Sequence, residues 1–146
     1  MYEYKNELRI YLTLYFGNDT EMELVRQCIG ISEATIVNRC DRRKNPFDES
    51  KNLPGFWQVM YSGQNLSELS VATNGLLKLI SPKLEVIVQV MERFNGQAEL
   101  LVVCDLDNDY PALTFDYDFV HVANTLHAGI DVDIQADLAN VEYCSD

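Results

Sequence analysis

Five aspartates crowd one short stretch of this chain, CDLDNDYPALTFDYDF at 104–119: Asp105, Asp107, Asp109, Asp116 and Asp118. Carboxylates at that density suggest a cation site first. Asp105, Asp107, Asp109 and Asp116 fall on positions 1, 3, 5 and 12 of an EF-hand calcium loop. The match fails where the loop is most demanding. Position 6 is Tyr110, and a residue with a Cβ does not make that sharp turn cheaply. Position 12 is an aspartate rather than the longer bidentate glutamate, and the run before the loop reads as a strand, not a helix. No metal site is therefore expected.

Acid–base catalysis is the second possibility. It needs two carboxyl groups whose surroundings drive their pKa values apart, and no signature flanks any pair here. His121 and His127 are six positions apart on one helical run. They project to different sides and cannot chelate one ion together. No glycine-rich phosphate loop and no G-x-S-x-G elbow occurs. No catalytic residue and no cofactor is assigned, and the chain is not expected to be an enzyme. Two readings of the acidic stretch remain: a solvated turn, or a surface for a cationic partner.

The distribution of charge bears on that choice. The 146 residues carry a formal net charge of −12. Residues 1–93 hold all 11 Lys and Arg against 12 Asp and Glu, whereas residues 94–146 hold 11 Asp and Glu and no Lys or Arg. Phosphate repels such a surface, which argues against nucleic acid as a partner. The same surface speeds association with a positively charged protein. The one basic cluster, RCDRRK at 39–44, reads as a charged loop among acids or as a phosphate grip. Four isolated charges favour the loop.

Cys28, Cys40, Cys104 and Cys144 show no C-x-x-C spacing, so they read as reduced, mostly buried thiols. No apolar run approaches a membrane span and the N-terminus lacks the pattern of a signal peptide, so a cytoplasmic protein without membrane contact is expected.

The elements that must hold the aspartates follow from periodicity. LRIYLTLYF (8–16) alternates and predicts a half-buried strand. A helix follows, with Thr20 and Glu23 as a capping box and Gly30 as its stop. Residues 32–55 are the least regular part, with RCDRRKNPFDESKNLPG (39–55) reading as a long loop, and FWQVMYS (56–62) reads as a strand with Trp57, Val59 and Tyr61 on one face. A helix is expected from near Leu66, and a second from Ser81 as N-cap with Pro82 at N1, burying Leu84, Ile87, Val88 and Met91. AELLVVC (98–104) predicts a central strand. Beyond the turn come a short strand ALTFD, a helix with Phe119, Val122, Ala123 and Leu126 on one face and Gly129 as its stop, and a last strand, GIDVDIQA. In that strand Ile130, Val132 and Ile134 point inward, and Asp131 and Asp133 outward. The fold class is α+β: one domain over 1–146, a single mixed, mostly antiparallel sheet of about five strands with helices on one face, and 136–146 as a loosely packed tail.

These same segments, namely RIYLTLYF, CIGI, the Trp57 strand, the helices around SPKL and above all ALTFDYDFVHVANTLHAGIDVDI, resemble a bacterial family of small domains, domain-of-unknown-function family 4279, over roughly residues 8–135. The loop at 38–55 departs most from the family pattern. The family carries no activity to transfer. Small domains like it are often encoded beside secreted toxins as immunity proteins, and for this chain that is an implication of the resemblance.

Together these readings set the functional expectation. An immunity protein would bind and neutralise a cationic toxin domain, a nuclease being the natural target, as a monomer or weak homodimer. The binding residues would be Asp105, Asp107, Asp109, Asp116, Asp118, Asp131 and Asp133, gathered from neighbouring elements of the sheet. The alternative is a small-molecule or metal-binding module, or an enzyme of unrecognised type, built on the acidic turn.

Overall fold

Alternation in ELRIYLTLYF decides the architecture. A computed structural model of the chain describes residues 7–17, 19–37, 55–63, 69–106 and 113–136. In it β1 (Glu7–Phe16) buries Leu8, Ile10, Leu12, Leu14 and Phe16 completely on one face. Arg9, Tyr11 and Tyr15 stand half-buried on the other. The helix α1 (Met22–Ile29) follows, then β2 (Thr35–Val37), β3 (Gly55–Gly63), α2 (Leu69–Ile80), a single 3₁₀ turn (Ser81–Lys83) and α3 (Leu84–Phe94). The chain closes with β4 (Gln97–Leu106), α4 (Tyr117–Thr125) and β5 (Gly129–Ala136).

Among the described residues the strands form one sheet in the order β2-β3-β1-β4-β5. Every pair is antiparallel except β4 with β5, which is parallel. A parallel pair needs a crossover, and α4 lies within that connection. The expected class, a mixed and mostly antiparallel sheet with helices on one face, is the one observed. The registers place Leu12 between Val59 and Leu100, and Leu14 between Trp57 and Ala98. One continuous apolar face results, and Ile29, Leu76, Ile80, Ile87 and Phe119 pack onto it from the helices.

Several local expectations give way. The strand at the centre is β1, with β4 beside it. A short strand, β2, lies in the irregular stretch just before the expected loop, and its three residues are too few to show a period in sequence. The predicted strand at ALTFD does not form: residues 113–116 are irregular, and β4 instead runs on to Leu106. The Thr20–Glu23 capping box is not made, because Glu21 is the N-cap and the Glu23 carboxylate accepts from Arg26 one turn on. Ser81 opens a 3₁₀ turn rather than capping α3. The buried stripe of α3 is Ile87 and Val90, with Leu84, Val88 and Met91 only half-covered. The chain leaves α4 at His127, not at Gly129. His127 takes φ 51°, and the Ala128 amide donates to the Ala123 carbonyl at 2.8 Å, the six-to-one bond of a left-handed helix stop. Gly30 does stop α1, with φ 68°.

Trp57 is fully buried, as its strand position predicts. Its neighbour Tyr61 meets α2 at Gly75, where a Cβ would run into the tyrosine ring. That contact makes a test. Alanine is the better helix former by about 1 kcal/mol, but overpacking costs about 1–3 kcal/mol. Gly75→Ala is expected to lower unfolding free energy by about 1–2 kcal/mol in urea titration. Adding Tyr61→Ala should cancel most of the clash. A more stable Gly75→Ala single variant would contradict the packing of α2 on β3.

Candidate functional site

The registers divide the strand residues between two faces. Leu8, Tyr61, Cys104 and Ile134 lie on the helix-covered face; Arg9, Met60, Asp105 and Asp133 lie on the opposite one. Among the described residues no helix covers that opposite face. Its middle is amphipathic: Tyr11, Tyr15, Phe56 and Leu101 are half-buried and Met60 is exposed. Tyr15 and Phe56 meet edge to face at 6.2 Å, and Gln58 Nε2 donates to Thr13 Oγ1 at 2.9 Å. Burial, and then the nearby Glu99 carboxylate, pushes the Tyr15 phenol up. Tyrosine, methionine and phenylalanine in such a setting resemble the core of a protein interface more than an ordinary surface.

Toward β4 and β5 this face turns acidic. Among the described residues it carries Glu7, Glu99, Asp105, Asp131 and Asp133 against one cation, Arg9. Arg9 Nη2 donates to Asp105 Oδ2 at 3.2 Å, across adjacent strands and 96 positions of sequence. Both side chains are about one-third exposed, 31% and 34%. Burial works against the Arg9 charge, but Tyr11, Asp105 and Glu7 outweigh it and raise its pKa. Arg9 is therefore committed to this face as a fixed cation. Asp131 and Asp133 are exposed, and among the described residues no cation lies within ion-pair distance of either. Asp133 accepts from Gln135 Nε2 at 3.3 Å.

The seven predicted aspartates thus do not form one cluster. Asp105, Asp131 and Asp133 share the helix-free face of β4 and β5. Asp116 and Asp118 belong to α4, on the other side of the sheet, where Asp116 is the N-cap residue and Asp118 lies in the first turn. Asp107 and Asp109 lie outside the described residues, as do Cys40, Cys144, the 39–44 basic cluster and the tail from 137. Asp105, the first position of the failed calcium pattern, sits inside a strand and is engaged by Arg9.

The helix side has a feature of its own. An open groove of about 570 Å³ runs between α2 and α4, bordered by Asn74, Lys78, Ser81, Asp118 and His121. Its size suits a small ligand. His121 at its border is exposed and stacks on Tyr117 at 5.8 Å, and among the described residues no hydrogen bond joins it to Asp118. Among the described residues no group of three potential metal ligands comes together. Cys104 is buried, and desolvation, helped by Asp105 and Asp133, raises its pKa, which suppresses the reactive thiolate.

Sequence reasoning missed the Arg9–Asp105 pair and the helix-free face. A signal existed: the alternate residues of β1 opposite its leucines are Arg, Tyr, Thr and Tyr, amphipathic rather than fully polar.

A family model, described as a domain of unknown function, DUF4279, matches residues 4–137. No curated protein and no solved structure matches the chain. No helix among the described residues is long and apolar enough to cross a membrane.

The unequal pairing of the aspartates makes a prediction. Asp105→Asn, which breaks a partly exposed ion pair, should cost about 0.5–1 kcal/mol in urea titration. The double variant Asp131→Asn/Asp133→Asn should be as stable as the parent, or slightly more so, because it removes only repulsion. A destabilised double variant beside a neutral Asp105→Asn would show that the charges on β5 are structural.

Proposed function

The chain belongs to DUF4279, a domain family of unknown function, and on its own geometry we propose that it is a non-enzymatic inhibitor that docks on a cationic protein. One observation carries this reading: among the described residues the face that no helix covers has five carboxylates to one arginine beside an aromatic middle, and Asp131 and Asp133 have no ion-pair partner there. Placing two like charges two residues apart on one strand face has no stabilising role in the fold. A positive partner relieves the repulsion.

The partner class follows from the chemistry. Proteins that hold phosphate, nucleases above all, surround their active sites with arginine and lysine, and an acidic face can occupy such a site in place of the nucleic acid. The chain then acts as an immunity protein in the cytoplasm of a bacterium, neutralising a toxin domain before it acts. Charge steering lifts association toward about 10⁸–10⁹ M⁻¹s⁻¹ at low salt, which suits that task. The tyrosines and Met60 supply contact area behind the charges.

The direct test is to produce the polypeptide encoded next to this gene in a bacterial host, with and without this chain. Growth arrest relieved only by co-expression is the expected result. A neighbour that is neither toxic nor bound, or a chain with turnover of its own that one carboxylate substitution abolishes, would overturn the reading. In the bound complex, affinity should fall steeply as salt rises through the range where the Debye length drops to about 8 Å. Asp131→Asn/Asp133→Asn should slow association roughly tenfold at low salt and leave dissociation nearly unchanged. An unaltered association rate would place the interface elsewhere.

A further inference from the structure

β5 is the end strand of the sheet: among the described residues it pairs with β4 on one side and with nothing on the other. Its main-chain N–H and C=O groups on that outer side are a template for another strand. The two edges of the sheet differ. β2 is three residues long, whereas β5 is eight, and a short edge is one of the ways proteins discourage strand addition. The helix-side residues of β5 also lose cover along its length. Ile130 is half-buried, Val132 is 39% exposed and Ile134 is 51% exposed. Apolar side chains thus stand exposed on one face of the edge, and among the described residues Asp131 and Asp133 have no ion-pair partner on the other.

The charges decide what can sit there. A second copy of this chain, paired antiparallel across the edge and centred on Val132, would set Asp131 directly opposite Asp133, twice. Like charges in directly opposed positions destabilise a strand pair, and each chain already carries a net charge of −12. A strand whose side chains alternate basic and apolar meets both faces at once. Its lysines or arginines would lie beside Asp131 and Asp133, and its apolar residues would cover Val132 and Ile134.

We propose that the outer edge of β5 receives an extended segment of the cationic partner by strand addition, and that this segment alternates basic and apolar residues. The inference rests on the reading of the partner as cationic and adds the mode by which it binds. Main-chain hydrogen bonds supply affinity that is blind to sequence, and the alternating side chains supply selectivity. The edge is long enough for three or four such contacts on each face.

Three capped peptides of about eight residues, the length of β5, test this. The first alternates lysine and valine, the second has the same composition with the lysines grouped, and the third is the first with every second amide N-methylated. The readout is binding by titration at low salt, with amide hydrogen exchange across the intact chain. The alternating peptide should bind and slow exchange within 129–136. Grouping the lysines or methylating the amides should weaken binding by about tenfold or more, since each removes several paired contacts. Ile134→Lys, at an exposed position that the fold tolerates, should weaken the alternating peptide by a similar factor.

If the grouped or methylated peptide binds as well as the alternating one, strand addition is wrong while attraction to a cationic partner stands. If no peptide binds at low salt, both readings fall. If the outward-pointing amides of 129–136, those not bonded to β4, already exchange slowly before any peptide is added, the edge is occupied by a second copy or by another part of the chain, and the proposal is overturned.

Discussion

One constraint governs this molecule: its central strand has two faces and its helices bury only one of them. The leucines and Ile10 of β1 leave water completely, and every helix of known position packs on their side. At roughly 1.5–3 kcal/mol for each fully buried aliphatic side chain, this burial dominates the favourable side of folding. On the opposite face, among the described residues, only Thr13 and Val103 are buried, and the remaining positions can be selected for something else. Tyrosines, Met60 and carboxylates occupy it.

The Arg9–Asp105 pair shows how charge is divided on that face. A surface bridge of this exposure adds about 1 kcal/mol or less. Its larger effect is on where charge remains. Arg9 is held by the neighbouring strand and answers Asp105, so among the described residues Glu7, Glu99, Asp131 and Asp133 remain unpaired on this face, the last two furthest out, on β5. There, among the described residues, the acids meet an unpaired edge and incompletely covered apolar side chains. Charge at an edge strand commonly serves to prevent aggregation. In the proposed mode of binding the same two aspartates disfavour a second copy and attract a basic segment.

Much of the framework was legible in the sequence, because alternation and helical spacing are local. The strands around Leu12, Trp57 and Leu100, and the buried face of α4, need only a period and an apolar count. Three features were not legible, each for its own reason. β2 has three residues, too few for a period. The strand expected at ALTFD is absent over residues 113–116, which are irregular, whereas β4 runs on to Leu106, so the acidic stretch begins inside a strand. The supposed single cluster of aspartates depended on which side of the sheet α4 packs. Spacing along the chain cannot show that Asp118 and Asp133 lie on opposite sides. Likewise, alternation in GIDVDIQA told which residues share a face, but not that β5 is an edge whose inward face is only partly covered.

The most direct measurement is hydrogen–deuterium exchange of the intact chain, free and saturated with the cationic partner proposed above. Protection concentrated in β5 and in the adjoining part of β4, and diminished by Asp131→Asn/Asp133→Asn, is the predicted result. Protection confined to α2 and α4 around Lys78 and His121, with β5 exchanging as in the free protein, would contradict it and place the working surface in the helix-side groove.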